Sequence, residues 1–247
     1  MKQSWIWMPT CQPSLALVRL KDSPFLTVGA NMIGIPAQPK IYHITHLDNL
    51  AKIAEDGFIW SDSKRIKRGL DCSLIGMPEI KRRRLEDLEV SCHAGTKVGQ
   101  YVPFYFCPRS IMLYILHMGN HPDLAYRQGQ WPIVHLQADL MGVVEWAKQQ
   151  GVRWAFSDRN AGAYVANFYR CVRDLDQINW EAVRSADFRD MEVKEGKQAE
   201  FLCYEAFPWS LVEKIGVVNS KKARQVSEII RVNKHQPIVQ VKPSWYF

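Results

Sequence analysis

Residues 99–114 read GQYVPFYFCPRSIMLY. Every residue from Tyr101 to Pro108 is aromatic or apolar, and the run is short and bounded by Gly and Pro, so it reads as a buried strand. Ser110 follows, placed to accept a hydrogen bond from a backbone N–H of the next turn, and a helix carrying Ile111, Leu113, Tyr114 and Leu116 begins there. The pattern recurs on either side. PIVHLQ (132–137) is a second buried strand, capped into a helix at Asp139 and stopped by Gly151. Upstream, IYHIT (41–45) is a short strand, and Thr45 with Asp48 three residues on has the form of a capping box. A helix is expected after it, with Leu50, Ile53 and Ala54 inward and Gly57 as its stop. Short strands are predicted at Trp154–Ser157, Glu200–Tyr204, Ile215–Val218 and Ile238–Val241, with a helix from Ser220 to about Asn233. This order predicts an α+β domain whose strands are joined by helices of unequal length.

The 247 residues, 47% of them hydrophobic, suffice for one sizeable core. Residues 1–40 mix Pro, Trp and polar residues without periodicity and read as an N-terminal extension, with Met32 an alternative start. Residues 61–100 are irregular and charged, an excursion with one helix around Pro78–Leu88. The net charge of +7 favours a polyanionic partner. Much of it is concentrated between Asp62 and Arg84, where eight basic side chains face three acidic ones. The six cysteines lack the close pairs of zinc or redox sites, so no metal is expected. No apolar run is long enough to span a bilayer, and the first residues lack a secretory pattern, which predicts a cytoplasmic protein with reduced thiols.

Three features suggest chemistry: His43 and Thr45 on the first strand, Tyr105 on the aromatic strand, and Glu200 in KQAEFLCYEAFPW (197–209). The plainer readings are a satisfied structural histidine and a core tyrosine. Glu200 is harder to dismiss. A carboxylate heading an apolar strand is costly to bury unpaired, so it lies at an exposed end or is held for a purpose.

The runs IYHITHLDNL (41–50), GQYVPFYFCPRSIMLY (99–114), DLDQINWEAV (174–183), KQAEFLCYEAFPWSLVEKI (197–215) and the terminal SWYF, in collinear order over 41–247, resemble the DarT family of DNA ADP-ribosyltransferase toxins. The resemblance implies the ADP-ribosyltransferase fold: two packed, mostly antiparallel sheets with a central NAD cleft, peripheral helices and no metal. It implies transfer of ADP-ribose from NAD+ to a base of single-stranded DNA, thymidine in the family, with release of nicotinamide. It makes Glu200 the catalytic glutamate and Arg84 the best counterpart of the catalytic arginine, with Arg83 the alternative. His43, Ile44 and Thr45 correspond to the NAD-contacting first strand, with Lys52, Trp60 and Arg84 as further contacts. Residues 185–198 correspond to the substrate-recognition loop, and Tyr105, Arg109, Met112 and Lys194 fall nearest the DNA. The expected partner is a DarG-like macrodomain antitoxin. Two other readings remain open from the residues alone: the same chemistry on RNA or protein, and a non-catalytic basic nucleic-acid-binding module.

Two outcomes are expected on this reading. A shortened chain beginning at Met32 should be soluble and active, and its failure to fold would place residues 1–31 in the core. Replacing Lys64, Arg65, Lys67 or Arg68 should flatten the salt dependence of single-strand binding, whose slope is about −0.7 per phosphate contacted.

Overall fold

The computed structural model describes residues 34–247, so the extension before Gly34 and the alternative start at Met32 lie outside the described residues. In chain order the elements are β1 (Lys40–His46), α1 (Leu50–Asp56), β2 (Phe58–Trp60), α2 (Asp62–Lys67), α3 (Pro78–Glu86), β3 (Tyr101–Tyr105), α4 (Ile111–Met118), β4 (Ile133–Asp139), α5 (Leu140–Gln150), β5 (Trp154–Ser157), β6 (Phe168–Tyr169), α6 (Trp180–Arg184), α7 (Met191–Gly196), β7 (Glu200–Tyr204), β8 (Ala206–Pro208), β9 (Lys214–Val217), α8 (Ser220–Ile230) and β10 (Ile238–Val241). Ser110 caps α4 by accepting from Leu113 N–H, and Asp139 caps α5 through Gly142 N–H. Helices α1, α4 and α5 end on Gly57, Gly119 and Gly151, each with positive φ.

Where the local reading misplaced a boundary, strand pairing explains it. Thr45 is not a helix cap: β1 runs on until His46 pairs with Ile133, and the His46 imidazole receives Asp48 N–H. The Thr45 hydroxyl instead accepts from Asn49 Nδ2 at 3.1 Å. The charged excursion holds two helices, α2 as well as α3, because Ser61 caps α2 by accepting from Lys64 N–H. The segment 185–198 is partly helical, α7 being capped by Asp190.

Eight strands form one sheet in the order β10-β9-β4-β1-β3-β7-β5-β6, and β2 pairs with β8 in a two-stranded second sheet. Pairing is antiparallel throughout except for β9 with β10. The large sheet is strongly joined on either side of its centre and weakly at it. β1 matches β4 from Lys40 opposite Asp139 to His46 opposite Ile133, and β3 matches β7 from Tyr101 opposite Tyr204 to Tyr105 opposite Glu200. Between β1 and β3 one registered pair remains, Tyr42 opposite Tyr105. Two four-stranded halves are thus hinged at one point, and the space beside it is available to a ligand.

Apolar packing holds both faces. Ile41, Leu136, Phe104, Phe156 and Phe201 form a core with side chains of α1, α5, α6 and α8. Ile44, Leu113, Leu116 and Ile133 form another, closed by Tyr246. The terminal SWYF is built into the domain: the Tyr246 hydroxyl donates to Ile133 O at 2.8 Å, and Trp245 packs on Gly216.

Helix α3 has no fully buried residue, yet it must be placed accurately. Gly99 lets it approach: a Cβ there would stand 2.7 Å from Leu85 Cδ2 and 3.0 Å from Leu85 Cα. Gly99→Ala should therefore displace α3 and lower stability by about 1–3 kcal/mol, the usual cost of overpacking. Urea denaturation measures this, and a variant as stable as wild type would show that α3 adjusts freely.

Candidate active site

Glu200 opens β7 at 1% exposure, so its charge must be compensated by protein. Arg84 Nη1 donates to Oε1 at 3.0 Å and Nη2 to Oε2 at 2.8 Å, a bidentate pair between residues 116 apart in sequence. Ala161 N–H adds a third bond to Oε1 at 3.1 Å, and Glu200 N–H donates to the Ser157 hydroxyl. Oε2 thus accepts one protein bond where Oε1 accepts two, which leaves it the oxygen with room for another donor. Burial opposes the charge on Arg84, but the Glu200 carboxylate more than offsets it and holds the guanidinium above its ordinary pKa. Arg83 takes another path, donating to Gly162 O at 3.3 Å and lying over the Tyr164 ring. The structure brings Arg84, not Arg83, to the glutamate.

On the open side of the β1–β3 hinge, lined by Lys81 one turn from Arg84, lies a cavity of 410 Å³, within the range of about 300–1,000 Å³ typical of small-molecule sites. His43, Ile44, Thr45, Lys52 and Trp60 all line it. His43 is held neutral by burial despite its bond to Pro103 O at 2.9 Å. A neutral ring that donates from Nδ1 keeps Nε2 as an acceptor. Asn49 fastens the rim by exchanging bonds with Ser73, Nδ2 to its carbonyl at 3.0 Å and Oδ1 from its N–H at 2.7 Å.

The cavity also receives charged groups that sequence reasoning did not single out. Asp62 accepts from Lys81 Nζ through both oxygens, at 2.8 and 2.7 Å. Burial would raise the Asp62 carboxyl, but Lys81 and the neighbouring arginines hold it below its ordinary value. Lys81 stands one turn before Arg84 on α3, so one helix presents a cation to the cleft and another to Glu200. Arg65 lines the same cavity, its Nε paired with Asp62 Oδ1 at 3.7 Å but without a hydrogen bond. The lining mixes Lys52, Arg65 and Lys81 with Asp48, Asp56, Asp62 and Asp71, and the free Arg65 Nε–H is a buried donor available to a diphosphate. The residues present therefore fit NAD+.

Within the run 64–68, expected to contact DNA, the side chains have different surroundings. Lys64 pairs with Glu205 at 3.0 Å, Arg65 belongs to the cleft, and Arg68 lies 4.3 Å above the Trp60 ring, itself part of the cleft wall. Of the four residues placed nearest DNA, Tyr105 stands opposite Glu200 in the ladder, and Met112 packs in the same apolar cluster as Tyr105. Burial pushes the Tyr105 phenol well above its ordinary pKa, so it stays neutral. Arg109 lies over the Phe247 ring at 4.3 Å. Lys194 is exposed on α7, and among the described residues no hydrogen bond or ion pair joins its side chain to the other three. Among the described residues there is no group of three or more His, Cys, Asp or Glu able to hold a metal ion, and no helix long and apolar enough to cross a membrane.

A cleft at a sheet hinge, lined by His43 and by Lys81 one helical turn from the buried Arg84–Glu200 pair, is the arrangement of an ADP-ribosyltransferase. The family described as "ssDNA thymidine ADP-ribosyltransferase, DarT" matches residues 42–247. The chain belongs to that family. It is 34% identical to the DNA ADP-ribosyl transferase of Thermus sp. (strain 2.9) over 215 residues, 86% of this chain and 98% of that one. It is 29% identical to the enzyme of the same description from Escherichia coli O127:H6, over 86% of this chain and 95% of that one. The structure of Thermus sp. 2.9 DarT in complex with ADP-ribosylated ssDNA superposes with a TM-score of 0.76 at 33% identity, covering 86% and 98% of the two chains. That of the same protein in complex with NAD+ gives 0.69 at 33% identity, covering 86% and 99%. Thermosipho africanus DarTG in complex with ADP-ribose shares the fold at 19% identity, with a TM-score of 0.67 over 85% of this chain and 51% of that one.

Removing one partner of a buried pair leaves an uncompensated charge and costs about 3–5 kcal/mol. Arg84→Gln should lower stability by about that amount, whereas Arg83→Gln, which gives up one long hydrogen bond and a ring contact, should cost about 1 kcal/mol or less. Parallel denaturant titrations check the contrast, and equal costs would remove the distinction between the two arginines.

Proposed function

We propose that Glu200 and Arg84 act as one unit in the transfer of ADP-ribose from NAD+ to a thymidine base of single-stranded DNA. The transfer itself is the activity of the family. The residue roles rest on one observation, the buried bidentate Arg84–Glu200 pair, carried by the helix whose Lys81 lines the cleft.

Breaking the bond between ribose and nicotinamide puts positive charge on the ribose, as in glycoside hydrolysis. A buried carboxylate with a free acceptor position can bond the ribose 2′-hydroxyl and stabilise that charge where water does not screen it. Glu200 has the position, and Arg84 and Ala161 hold it in place. The thymine ring attacks through the nitrogen between its two carbonyls. The bond from that nitrogen to the ribose C1′ forms as the C1′–nicotinamide bond breaks, and the nitrogen's proton passes to water, so negative charge develops on the ring until nicotinamide has left. Arg84 serves this step as a cation. With its pKa held up by Glu200 it is a poor proton acceptor, and its charge matches what develops on the ring.

His43, Ile44, Thr45, Lys52 and Trp60 are assigned to NAD+, with Arg65 and Lys81 added near its diphosphate. Tyr105 and Met112 are assigned to the acceptor strand beside the reacting base, with Arg109 next to them, and exposed Lys194 at the strand's margin. A base inside a duplex is out of reach of such a site, which suits a single-stranded target. We place the activity in the cytoplasm, held in check by a DarG-like macrodomain antitoxin, and take residues 41–247 as the catalytic domain.

Glu200→Gln should bind NAD+ yet lose transfer by at least about a hundredfold, the scale of one electrostatic stabiliser at a reacting centre. Labelled NAD+ with a single-stranded oligonucleotide measures this directly. In bacterial cells lacking an antitoxin, wild type should arrest growth and the variant should not. Near wild-type turnover of the variant would remove Glu200 from the chemistry.

A further inference from the structure

Among the described residues, Glu205 is the one residue other than glycine with a positive φ, at 58°. An L side chain in that left-handed region costs free energy that glycine does not carry. Glu205 is also the single link between β7, which ends at Tyr204, and β8, which begins at Ala206, so the chain passes there from the large sheet to the small one. Strain of this kind persists where the surroundings over-determine the conformation. Glu205 is held from three sides: its N–H donates to Gln100 O at 2.8 Å, its carbonyl accepts from Ser61 N–H at 2.9 Å, and its carboxylate accepts from Lys64 Nζ at 3.0 Å. The last two grip the same turn of chain, because Ser61 caps α2 and its hydroxyl accepts from Lys64 N–H at 3.2 Å.

That turn carries one wall of the cleft. Trp60 and Asp62 flank Ser61, Arg65 follows Lys64, and all three line the cavity, while Ser61, Lys64 and Glu205 stand outside its lining. Glu205 therefore holds the wall from behind. The same turn is fastened at its other side, since Asp62 accepts from Lys81 Nζ through both oxygens. One turn further along α3, Arg84 binds Glu200 at the start of β7. The connections close a ring: along β7 from Glu200 to Glu205, across to α2, from Asp62 to Lys81, and through Arg84 back to Glu200. The two ends of one five-residue strand thus fix the cleft wall and the buried glutamate relative to each other.

We propose that Glu205 is a positioning residue for NAD+: by fixing the first turn of α2 it sets Trp60, Asp62 and Arg65 where the dinucleotide meets them, without touching it. The inference rests on the assignment of the cleft to NAD+. The left-handed backbone directs the carboxylate at Lys64, and the pair lies at the surface, with side-chain exposures of 34% for Lys64 and 42% for Glu205. Pairs this open change an equilibrium by about fivefold at most. Glu205 thus adds little to folding, and its effect falls on the placement of the turn.

Glu205→Gly relieves the backbone strain and removes the carboxylate, so the variant should melt close to or above the wild-type temperature. Its KM for NAD+ should nevertheless rise by about three- to fivefold, with kcat at saturating NAD+ and single-stranded oligonucleotide within about twofold of wild type. A purely structural corner would move the melting temperature and leave KM alone. Lys64→Met should raise the same KM, and the double variant should raise it no further than either single change, since both remove one pair. Glu205→Gln, which keeps the side chain's size, carries the test if the glycine variant does not fold. A wild-type KM in the Glu205 and Lys64 variants, additive effects in the double variant, or a fall in kcat as large as the rise in KM would overturn the proposal. Arg65→Gln separates it from the reading beneath it. If that change raises KM where the others do not, the cleft holds NAD+ and Glu205 has no part in it; if it too leaves KM unchanged, the assignment of the cleft falls and this inference with it.

Discussion

A carboxylate with 1% exposure is costly to bury without a cation, and Arg84 supplies that cation through two hydrogen bonds at once. Much of the site follows from this pair. Arg84 must be carried by an element that reaches over the end of β7, and α3 is that element, though it buries none of its own residues. A nine-residue helix with little apolar anchorage is marginal in water. Here it is held by its ion pairs at two successive turns, Lys81 to Asp62 and Arg84 to Glu200, and by Leu85 seated over Gly99. The charges that perform the chemistry also keep their helix in place.

The hinge between β1 and β3 is the complementary constraint. A fully zipped sheet would leave no room for a dinucleotide, while two separate sheets would leave Glu200 and His43 on bodies free to drift apart. One registered pair, Tyr42 with Tyr105, keeps the halves in contact and the cleft open. Each half is then stiffened by its own long ladder, β1 on β4 and β3 on β7. Tyr105 belongs to both arrangements, since it is the hinge residue of β3 and the ladder partner of Glu200.

Elements whose signals are local were legible in the sequence. The caps at Ser110 and Asp139 and the stop at Gly151 fall where expected, because a capping oxygen and a positive-φ glycine act within a few residues. The strand at 154–157 and the one at 200–204 were legible for the same reason, as short apolar runs between breakers. Thr45 was misread because strand pairing with a segment nearly ninety residues away decides where β1 ends. The sign of the charge in residues 62–84 was legible but its partners were not. Lys64 meets Glu205 and Lys81 meets Asp62, and neither pairing leaves a trace in the run itself. Glu200 stood out as a carboxylate at odds with its apolar strand. Which of two adjacent arginines answers it depends on the rotation of α3, which places Arg84 on Glu200 and Arg83 toward Gly162 and Tyr164.

Two charges of opposite role sit within hydrogen-bonding distance, and that proximity bears on how the site avoids spending NAD+ on water. While Arg84 holds both oxygens of Glu200, the carboxylate is partly neutralised and less able to stabilise a cationic ribose. An acceptor ring that draws on the guanidinium as its own negative charge develops would loosen one of those bonds and return charge to the glutamate. Stabilisation of the ribose would then be greatest when the nucleophile is present, since the two demands on Arg84 are coupled through one short pair. The coupling needs no conformational change larger than the rotation of a guanidinium. It also gives a reason for an arginine, whose planar fork can bond a carboxylate and still present a free edge, where the point charge of a lysine would serve one partner at a time.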